Sequence, residues 1–270
     1  MKWVEYMDQF SLADGQNITH TSMKGGKWHI PEKDLPKFYI QLNKYLTKYP
    51  ECIVERLGEI HPFIIDIDLK YNNEIDSHEY TEETILKIVS SIWNDLQSEL
   101  ELTDEMAEII VMEKEKPYPC KSNQYNSKDG IHIVFPKIIV KNVTYKHLIG
   151  LIQDSQIINT IINETCQISP DNKPDSILDS NFTSWLPYGC SKENEEPYRI
   201  TSVYKQDENE NIYKIEDNLV KAAYSDTLQM MEIMSMCYHK KESVSYKKCL
   251  QDLIGNKLKK MTSNSSSMVN

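Results

Sequence analysis

Stretches that favour strands are separated along this chain by stretches whose apolar residues recur at helical spacing. The clearest strand signal is HPFIIDIDL, from His61 to Leu69, a nearly continuous apolar run. The clearest helix signal begins at Thr81 and continues to Leu96, with an apolar stripe over a polar back. Strands interleaved with helices, and strand pairs joined by polar loops, favour an α+β or mixed α/β fold over an all-helical or all-β one, and we predict the α+β class.

The remaining elements follow from the same periodicities and from turn residues. A Gly25-Gly26 break precedes a short predicted strand, and loops rich in proline, asparagine or aspartate separate several later elements. We predict strands at 27–30, 109–113, 130–135, 184–188 and 198–204, helices at 31–49, 146–165 and 221–238, and a polar loop at 114–128. No internal repeat is apparent. From the pattern of strands and helices, we expect a sheet to carry any active site.

The length of 270 residues suits one sizeable domain. We expect residues 1–240 to form that domain and residues 241–270 to form a basic helix or a linker that leads towards a further domain. Seven lysines stand between positions 240 and 260, against only Glu242 and Asp252. This basic stretch could contact a template or could form a solvated helix face, and the sequence leaves both open.

Charge and hydropathy narrow the classes of function. The formal net charge of −11 argues against a surface that coats duplex DNA, because phosphate binding depends on lysine and arginine. The apolar runs fall far short of the ~20 residues of a membrane helix, and the amino terminus lacks the pattern of a secretory signal. We therefore expect an intracellular protein with no membrane partner.

The six cysteines are scattered without CxxC spacing, which predicts free thiols in an intracellular protein. Cys237, His239 and Cys249 come nearest to a zinc-ligand pattern. Their spacing is too loose to indicate a zinc site, so zinc is not expected.

Two aspartates interrupt the strongest predicted strand. Asp66 and Asp68 are two residues apart, so strand periodicity points both carboxylates to one face. Buried carboxylates need compensation, and Mg²⁺ or Mn²⁺ supplies it through oxygen ligands. Two such ions could activate a 3′ hydroxyl and stabilise a departing pyrophosphate. From this pattern alone, aspartates that cap loops or pair with Lys70 at a strand end explain the sequence equally well.

Three later residues add to this chemistry. His132 follows Asp129-Gly130 in a predicted strand, where the glycine lets backbone approach a ligand and the imidazole can donate to a phosphate. Asp179 follows an apolar pair, and Lys192 in YGCSK could serve as a point charge for a triphosphate. Singly, they are also explained as a core histidine, a cap and a solvated lysine. Together with Asp66 and Asp68 they form an inventory suited to nucleotidyl transfer.

Four segments in this order resemble the motifs of a known family. PFIIDIDLKY, KDGIHIVFP, ILDSNFTSWLPYGCSK and PYRITSVY resemble the successive motifs of archaeo-eukaryotic primases, in particular the primase domains of poxvirus and giant-virus primase-helicases. The opening THTSMKGGKWHIP is similar to that group too, so the resemblance runs from about Asn17 to Tyr204. It implies the archaeo-eukaryotic primase fold, with two α/β modules, one resembling an RNA-recognition-motif sheet, and the catalytic site between them.

The resemblance also implies roles for individual residues. Asp66, Asp68 and Asp179 match the acidic positions that bind two catalytic Mg²⁺ or Mn²⁺ ions. His132 and Lys192 match residues that contact the triphosphate of the incoming nucleotide.

Three further positions are less regular. Lys27 matches a basic residue ahead of the catalytic strands. Gly130 stands where many relatives have serine, so a backbone N–H would replace a hydroxyl contact to phosphate. Arginines found near the third motif of cellular relatives are absent from 183–186, so Arg199 could share in triphosphate binding.

The implied function is the synthesis of short primers on single-stranded DNA from nucleoside triphosphates during viral DNA replication. The resemblance also implies a superfamily 3 helicase in cis or in trans, and a location in the host cytoplasm or nucleus. A primase-polymerase that mainly extends primers or bypasses lesions shares every motif. A catalytically inert nucleic-acid-binding module serving a helicase is the alternative from another class, and a Mn²⁺ glycosyltransferase explains DxD but not the later motifs. The choice between dNTPs and NTPs stays open.

Overall fold

The structure is a computed structural model that describes residues 3–49, 52–121, 124–181, 183–237 and 244. It has the predicted α+β class, with two antiparallel sheets and helices packed against them. Apart from position 244, the predicted basic helix or linker at 241–270 lies outside the described residues. None of the helices in the described ranges is both long and apolar enough to cross a bilayer.

Ten strands and seven α-helices are described. The strands are β1 (His20–Ser22), β2 (Lys27–Trp28), β3 (Ile53–Arg56), β4 (Ile60–Tyr71), β5 (Ile109–Glu113), β6 (Tyr118–Pro119), β7 (Ser127–Lys141), β8 (Ser184–Trp185), β9 (Arg199–Gln206) and β10 (Ile212–Lys214). The helices are α1 (Trp3–Asp8), α2 (Leu35–Leu46), α3 (Glu82–Glu99), α4 (Asn142–Ser155), α5 (Ile157–Thr165), α6 (Asp217–Ala223) and α7 (Thr227–Ile233).

The larger sheet has the order β10-β9-β5-β7-β4, with β6 paired to β7. Its centre is the long antiparallel pair of β4 and β7, in which Asp66 lies opposite His132 and Asp68 opposite Gly130. The apolar run of β4 is buried in the main core together with the inner face of α3. Thr81 begins α3 as the N-cap, accepting from the backbone N–H of Thr84, so the predicted start of this helix is confirmed.

The smaller sheet has the order β2-β1-β3-β8 and brings together four short strands from distant parts of the chain. Its own core lies between this sheet, α1 and α2, and includes Phe38, Tyr39 and Leu42. Glu55 of β3 lies opposite His20 of β1 on one side and Trp185 of β8 on the other. The cleft that carries the predicted residues lies between this sheet and the larger one.

Several predicted boundaries are wrong for identifiable reasons. The helix predicted at 146–165 is two helices, because Gln156 adopts a left-handed φ of 55° between α4 and α5. The helix predicted at 221–238 is also wrong, since Asp226 accepts from the N–H groups of Leu228 and Gln229 and starts α7 as a separate helix. The predicted loop at 114–128 contains β6 and the start of β7. The predicted strand at 184–188 ends at Trp185.

Candidate active site

The two aspartates of β4 lie on the side of the large sheet that faces the smaller one. Their alternation with Ile65, Ile67 and Leu69, which are fully buried, places both carboxylates in the cleft. The side chains of Asp66 and Asp68 keep 20% and 15% of their exposure, so they are screened without being sealed. The strand thus supplies both the apolar anchor and the charged site, as the sequence predicts.

A short segment adds Asp179 to the free edge of β4. The N–H of Asp68 donates to the carbonyl of Ile177 at 2.7 Å, and the N–H of Asp179 donates to the carbonyl of Asp66 at 2.9 Å. Ile67 and Leu178 form the antiparallel bridge between these bonds. The backbone therefore fixes Asp179 beside Asp66, although the two residues are far apart in sequence.

His132 of β7 completes the acidic face. It is the cross-strand partner of Asp66, and its Nε2 lies 3.4 Å from Asp66 Oδ1. Its ring stacks on Tyr198 with 3.6 Å between centroids and meets Trp185 at 4.5 Å. Rings on two sides hold the imidazole in one orientation, with Nε2 turned towards the carboxylate.

Lys128 occupies the same face, although the sequence analysis passed over it. Its Nζ lies 2.6 Å from Asp68 Oδ1, and the side chains are only 18% and 15% exposed. The contact is diagonal, because Lys128 is paired with Lys70 in the register and Asp68 with Gly130. An ammonium group thus stands against a carboxylate at the position where a divalent cation would be expected.

The neighbouring charges separate the pKa values of the two aspartates. For Asp66, burial opposes ionisation, but His132 and the lysines together outweigh burial and lower the pKa. For Asp68, burial and the charge of Asp66 outweigh Lys128 and raise the pKa. Lys128 in turn has a raised pKa, because Asp68 overcomes the effect of burial. Asp66 therefore ionises more easily than Asp68 and is the better metal ligand of the two. The Asp68 carboxylate depends on a positive partner, which here is Lys128.

The donor set fits a divalent cation. Among the residues that the structure describes, buried Asp66 Oδ1 has no hydrogen-bond partner, which leaves a polar atom that an ion could satisfy. Carboxylate oxygens are the ligands preferred by Mg²⁺ and Mn²⁺. Among the described residues, the three aspartates do not form a set whose donors lie within 4.8 Å of one another. Holding an ion between them therefore requires side-chain rotation, with Lys128 released from Asp68.

The opposite wall of the cleft comes from β8 and the loop that follows it. Trp185, Leu186, Cys190 and Lys192 line a space of roughly 240 Å³ together with the three aspartates and His132. Lys192 is exposed and contributes to the positive potential felt by Asp66. The structure thus brings five predicted residues to one cleft: Asp66, Asp68, Asp179, His132 and Lys192.

Gly130 has a different neighbour from the one expected. A Cβ on this residue would lie 2.3 Å from Tyr198 Oη, so the absence of a side chain makes room for the tyrosine that stacks on His132. Burial holds the pKa of Tyr198 well above its usual range, so it stays a neutral phenol. In this structure the space at Gly130 is filled by Tyr198 and is not open to a ligand.

A second charged cluster borders the cleft next to Tyr198. Lys114 Nζ and Lys121 Nζ each lie 2.7 Å from one oxygen of Glu195. Lys114 also lies over the ring of Tyr118, 3.5 Å from its centroid. Burial lowers the pKa of Lys114 although Glu195 opposes the shift. Lys114 and Glu195 line the cleft, and Lys121 is paired with Glu195, so this cluster adds lysines at the border of the site.

Lys27 and Arg199 lie elsewhere. Lys27 is exposed on β2 and Arg199 is exposed at the start of β9. Neither is among the residues that line the cleft. Lys128 could have been found from the sequence, because Lys128, Gly130 and His132 are spaced at two residues and so share a strand face. No sequence signal placed Tyr198 against Gly130, since that contact joins the residue before β9 to β7.

The chain is similar to a known protein family and to several known proteins. A family model described as the C962R protein N-terminal AEP domain matches residues 19–204. The chain is 27% identical over 228 residues to "Putative helicase 184R" of Invertebrate iridescent virus 6, covering 74% of this chain and 23% of that protein. It is 28% identical over 204 residues to "Putative helicase L207/L206" of Acanthamoeba polyphaga mimivirus, covering 72% and 20%. The chain thus spans about a fifth to a quarter of the length of these relatives.

Proposed function

Because this chain belongs to the family of C962R N-terminal archaeo-eukaryotic primase domains, we propose that it is a nucleotidyltransferase that synthesises short primers on single-stranded DNA. Its substrates would be a single-stranded template and nucleoside triphosphates, and its setting viral DNA replication. The observation that carries this proposal is the acidic face of β4. There Asp68 and Asp179 lie beside Asp66, whose buried Oδ1 makes no hydrogen bond within the part of the chain that the structure describes.

The three aspartates would hold two Mg²⁺ or Mn²⁺ ions. When bound, these ions supply Lewis-acid activation of the 3′ hydroxyl and neutralise charge on the departing pyrophosphate. The carboxylates orient the reacting groups, and their fixed backbone positions limit the reorganisation needed for in-line attack. Asp179 contributes to the same face through its backbone bond to Asp66.

Cationic and imidazole groups around the aspartates would bind the triphosphate. His132 is oriented by Tyr198 and Trp185, so it can direct an N–H to a phosphate oxygen without a rotamer search. Lys192 is exposed on the opposite wall and can reach a nucleotide from that side. Lys128 would exchange its contact with Asp68 for a phosphate when ions occupy the acidic face. These groups would hold the negatively charged triphosphate between them, as phosphoryl-transfer sites do.

A helicase is the partner that we propose for this domain. The curated relatives carry helicase names, and this chain covers only 23% of one and 20% of another. A net charge of −11 leaves the domain with little general attraction for nucleic acid. A linked or associated helicase, of superfamily 3 by the resemblance, would supply the grip on DNA.

The test is a primer-synthesis assay on the 270-residue protein. Single-stranded DNA, labelled nucleotides and Mg²⁺ or Mn²⁺ are incubated with wild type and with Asp66→Asn plus Asp68→Asn, and products are resolved by length. Wild type should make labelled oligomers de novo, and the double variant should lose at least about 10³-fold in rate, because the charges that position the ions are gone. The favoured nucleotide distinguishes dNTP from NTP use.

The matched control is Asp154→Asn, an exposed aspartate in α4 that should leave the rate unchanged. Extension of an annealed primer without de novo synthesis would assign the chain to a polymerase of the same family. Neither activity with either metal, from a folded protein, would reject the enzymatic proposal in favour of an inert binding module.

A further inference from the structure

We propose that His20, Glu55 and Cys237 form a second metal site, which takes a transition-metal ion such as Zn²⁺ and ties the segment after α7 to the smaller sheet. One donor atom from each residue lies within 4.8 Å of the other two. His20 and Glu55 are cross-strand partners on β1 and β3. None of the three residues lines the nucleotide cleft, so the primase proposal leaves them without a role.

One ring nitrogen of His20 has no hydrogen-bond partner among the described residues. His20 is fully buried, and its Nε2 makes no hydrogen bond within the described part of the chain. Its Nδ1 lies 2.9 Å from Thr19 Oγ1, a hydroxyl that donates to the carbonyl of Trp28 and accepts from the N–H of Ile30. Nδ1 is therefore hydrogen-bonded to a neighbouring side chain, and Nε2 is the ring nitrogen that faces the carboxylate. A metal-bound histidine has this arrangement, with its other ring nitrogen hydrogen-bonded to a group outside the metal shell.

The carboxylate of Glu55 faces this nitrogen. Glu55 Oε1 lies 3.6 Å from His20 Nε2, beyond hydrogen-bond range, and both side chains are fully buried. A buried carboxylate that faces a ring nitrogen at this distance needs either a proton on that nitrogen or a cation between the two atoms. The third donor favours a metal ion.

Glu55 has otherwise only neutral donors. Its Oε2 accepts from the N–H of Met236 at 2.6 Å, and its Oε1 accepts from Tyr39 Oη at 2.5 Å and from Ser235 Oγ at 3.4 Å. Within the described ranges no lysine or arginine pairs with it. Of the carboxylate's roughly four lone-pair directions, these contacts leave one, on Oε2. A direction on Oε1 becomes vacant when the Ser235 hydroxyl donates to Tyr39 Oη, which is 2.5 Å away, and not to Glu55. The contacts also hold the carboxylate in place, as outer contacts of metal ligands do.

The thiol of Cys237 provides the third donor. Cys237 Sγ lies 3.5 Å from the carbonyl of Arg56, beside the histidine and the carboxylate. A nitrogen, an oxygen and a sulfur donor together suit Zn²⁺, and the sulfur disfavours Mg²⁺. Tetrahedral zinc with nitrogen and oxygen bonds of about 2.0 to 2.2 Å has a nitrogen-to-oxygen edge of roughly 3.3 to 3.5 Å. The two atoms lie 3.6 Å apart, so a small inward shift brings them to ligand distance. On binding, the thiol would release its proton to solvent.

Access to the site exists from the surface. Cys237 lines an open cleft of roughly 730 Å³ together with Thr19 and Arg56, and none of the acidic strand residues lines it. An ion can therefore reach the sulfur first. This proposal departs from the expectation that zinc is absent, which rested on the spacing of Cys237, His239 and Cys249. Donors at positions 20, 55 and 237 have no sequence spacing that would reveal them.

The test is cobalt and zinc binding by the 270-residue protein. After treatment with a chelator, the protein is titrated with Co²⁺ in excess Mg²⁺, which occupies the oxygen-only site, and absorption from thiolate-to-cobalt charge transfer is followed. We expect one Co²⁺ per chain with this absorption, displaced by one Zn²⁺. Cys237→Ala and His20→Gln should each weaken binding at least tenfold, whereas Cys166→Ala, which removes another partly buried thiol, should bind as wild type does.

Some outcomes would overturn the site. Absence of thiolate-to-cobalt absorption in folded wild type would do so, as would unchanged binding in both Cys237→Ala and His20→Gln or its loss in Cys166→Ala. If the variants fail to fold, X-ray absorption at the zinc edge of wild type decides without them. One sulfur with nitrogen and oxygen ligands supports the proposal, and two or more sulfurs reject it.

Discussion

The two sheets differ in how they are stabilised. The larger one rests on the strands of 60–71 and 127–141, whose apolar residues are buried in the main core. The smaller one has no strand longer than the four residues of β3, and its centre is the fully buried carboxylate of Glu55. The cleft therefore has one wall fixed by apolar packing and one wall fixed by a polar network. Mutations should affect the two walls in different ways.

Two histidine–carboxylate pairs, one beside each core, show the same contrast. Next to the larger sheet, Nδ1 of His78, in the loop after β4, lies 2.7 Å from Asp129 Oδ2 of β7, a formed hydrogen bond. In the smaller sheet, the His20 and Glu55 atoms are 3.6 Å apart and make no such bond. The first pair is complete as it stands. The pair of His20 and Glu55 lacks such a bond, so an additional cation could bind between its two atoms.

The largest effect should come from Glu55→Ala. The change removes the buried acceptor that the Tyr39 hydroxyl and the Met236 N–H share, so the free energy of unfolding should fall by about 3–5 kcal/mol. Urea denaturation with a chelator present measures this separately from any bound metal. Glu59→Ala, at an exposed position close in sequence, should change stability by less than ~0.5 kcal/mol. A loss below about 1 kcal/mol for Glu55→Ala would show that the network does not hold the small sheet together.

A smaller effect is expected for Gly130→Ala in the larger sheet. The new Cβ would lie 2.3 Å from Tyr198 Oη, so the tyrosine must move from the ring of His132. We expect a stability loss of about 1–3 kcal/mol and a reduced rate of primer synthesis. Gly150→Ala, in α4 with nothing within 4 Å of its added Cβ, should instead stabilise by about 0.5–1 kcal/mol. Thermal melting of both variants checks the pair, and equal shifts would contradict the contact with Tyr198.

The smallest expected effect is pH-dependent and concerns His78. Its hydrogen bond to buried Asp129 raises the pKa of His78 above the ordinary value of about 6.5. The resulting stability is fully present below that ordinary value and is lost as the pH rises through the raised value. His78→Gln should therefore cost about 1 kcal/mol more at pH 6 than at pH 9 in urea denaturation. In an Asp129→Asn background this difference should vanish, and its persistence would assign the effect to another group.

The sequence was sufficient for the parts of the site that depend on periodicity along one strand. The alternation around Asp66 and Asp68 predicted their shared face, and the strand position of His132 was correct. Asp179 needed the order of motifs, because its place beside β4 depends on a bridge between distant segments.

Other parts depend on contacts that no local pattern encodes. Strands of two or three residues, such as β2, β8 and β10, exist because neighbouring strands pair with them, and hydrophobic period cannot reveal so short a run. The break at Gln156 was missed because apolar residues continue on both sides of a left-handed residue. The polar network around Glu55 joins Tyr39 to Ser235 across 196 positions, so only the fold brings it together.

The bridge between β4 and Leu178 also has a consequence for protein synthesis. A ribosome adds about 5–20 residues per second, so Asp66 and Asp68 are made several seconds before Asp179 can close the edge beside them. During that interval β4 presents its unpaired backbone edge and a pair of carboxylates to the cytosol of the translating cell. Two charged side chains on a nascent strand discourage pairing with other chains, so the residues assigned to chemistry would also protect the unfinished polypeptide from aggregation.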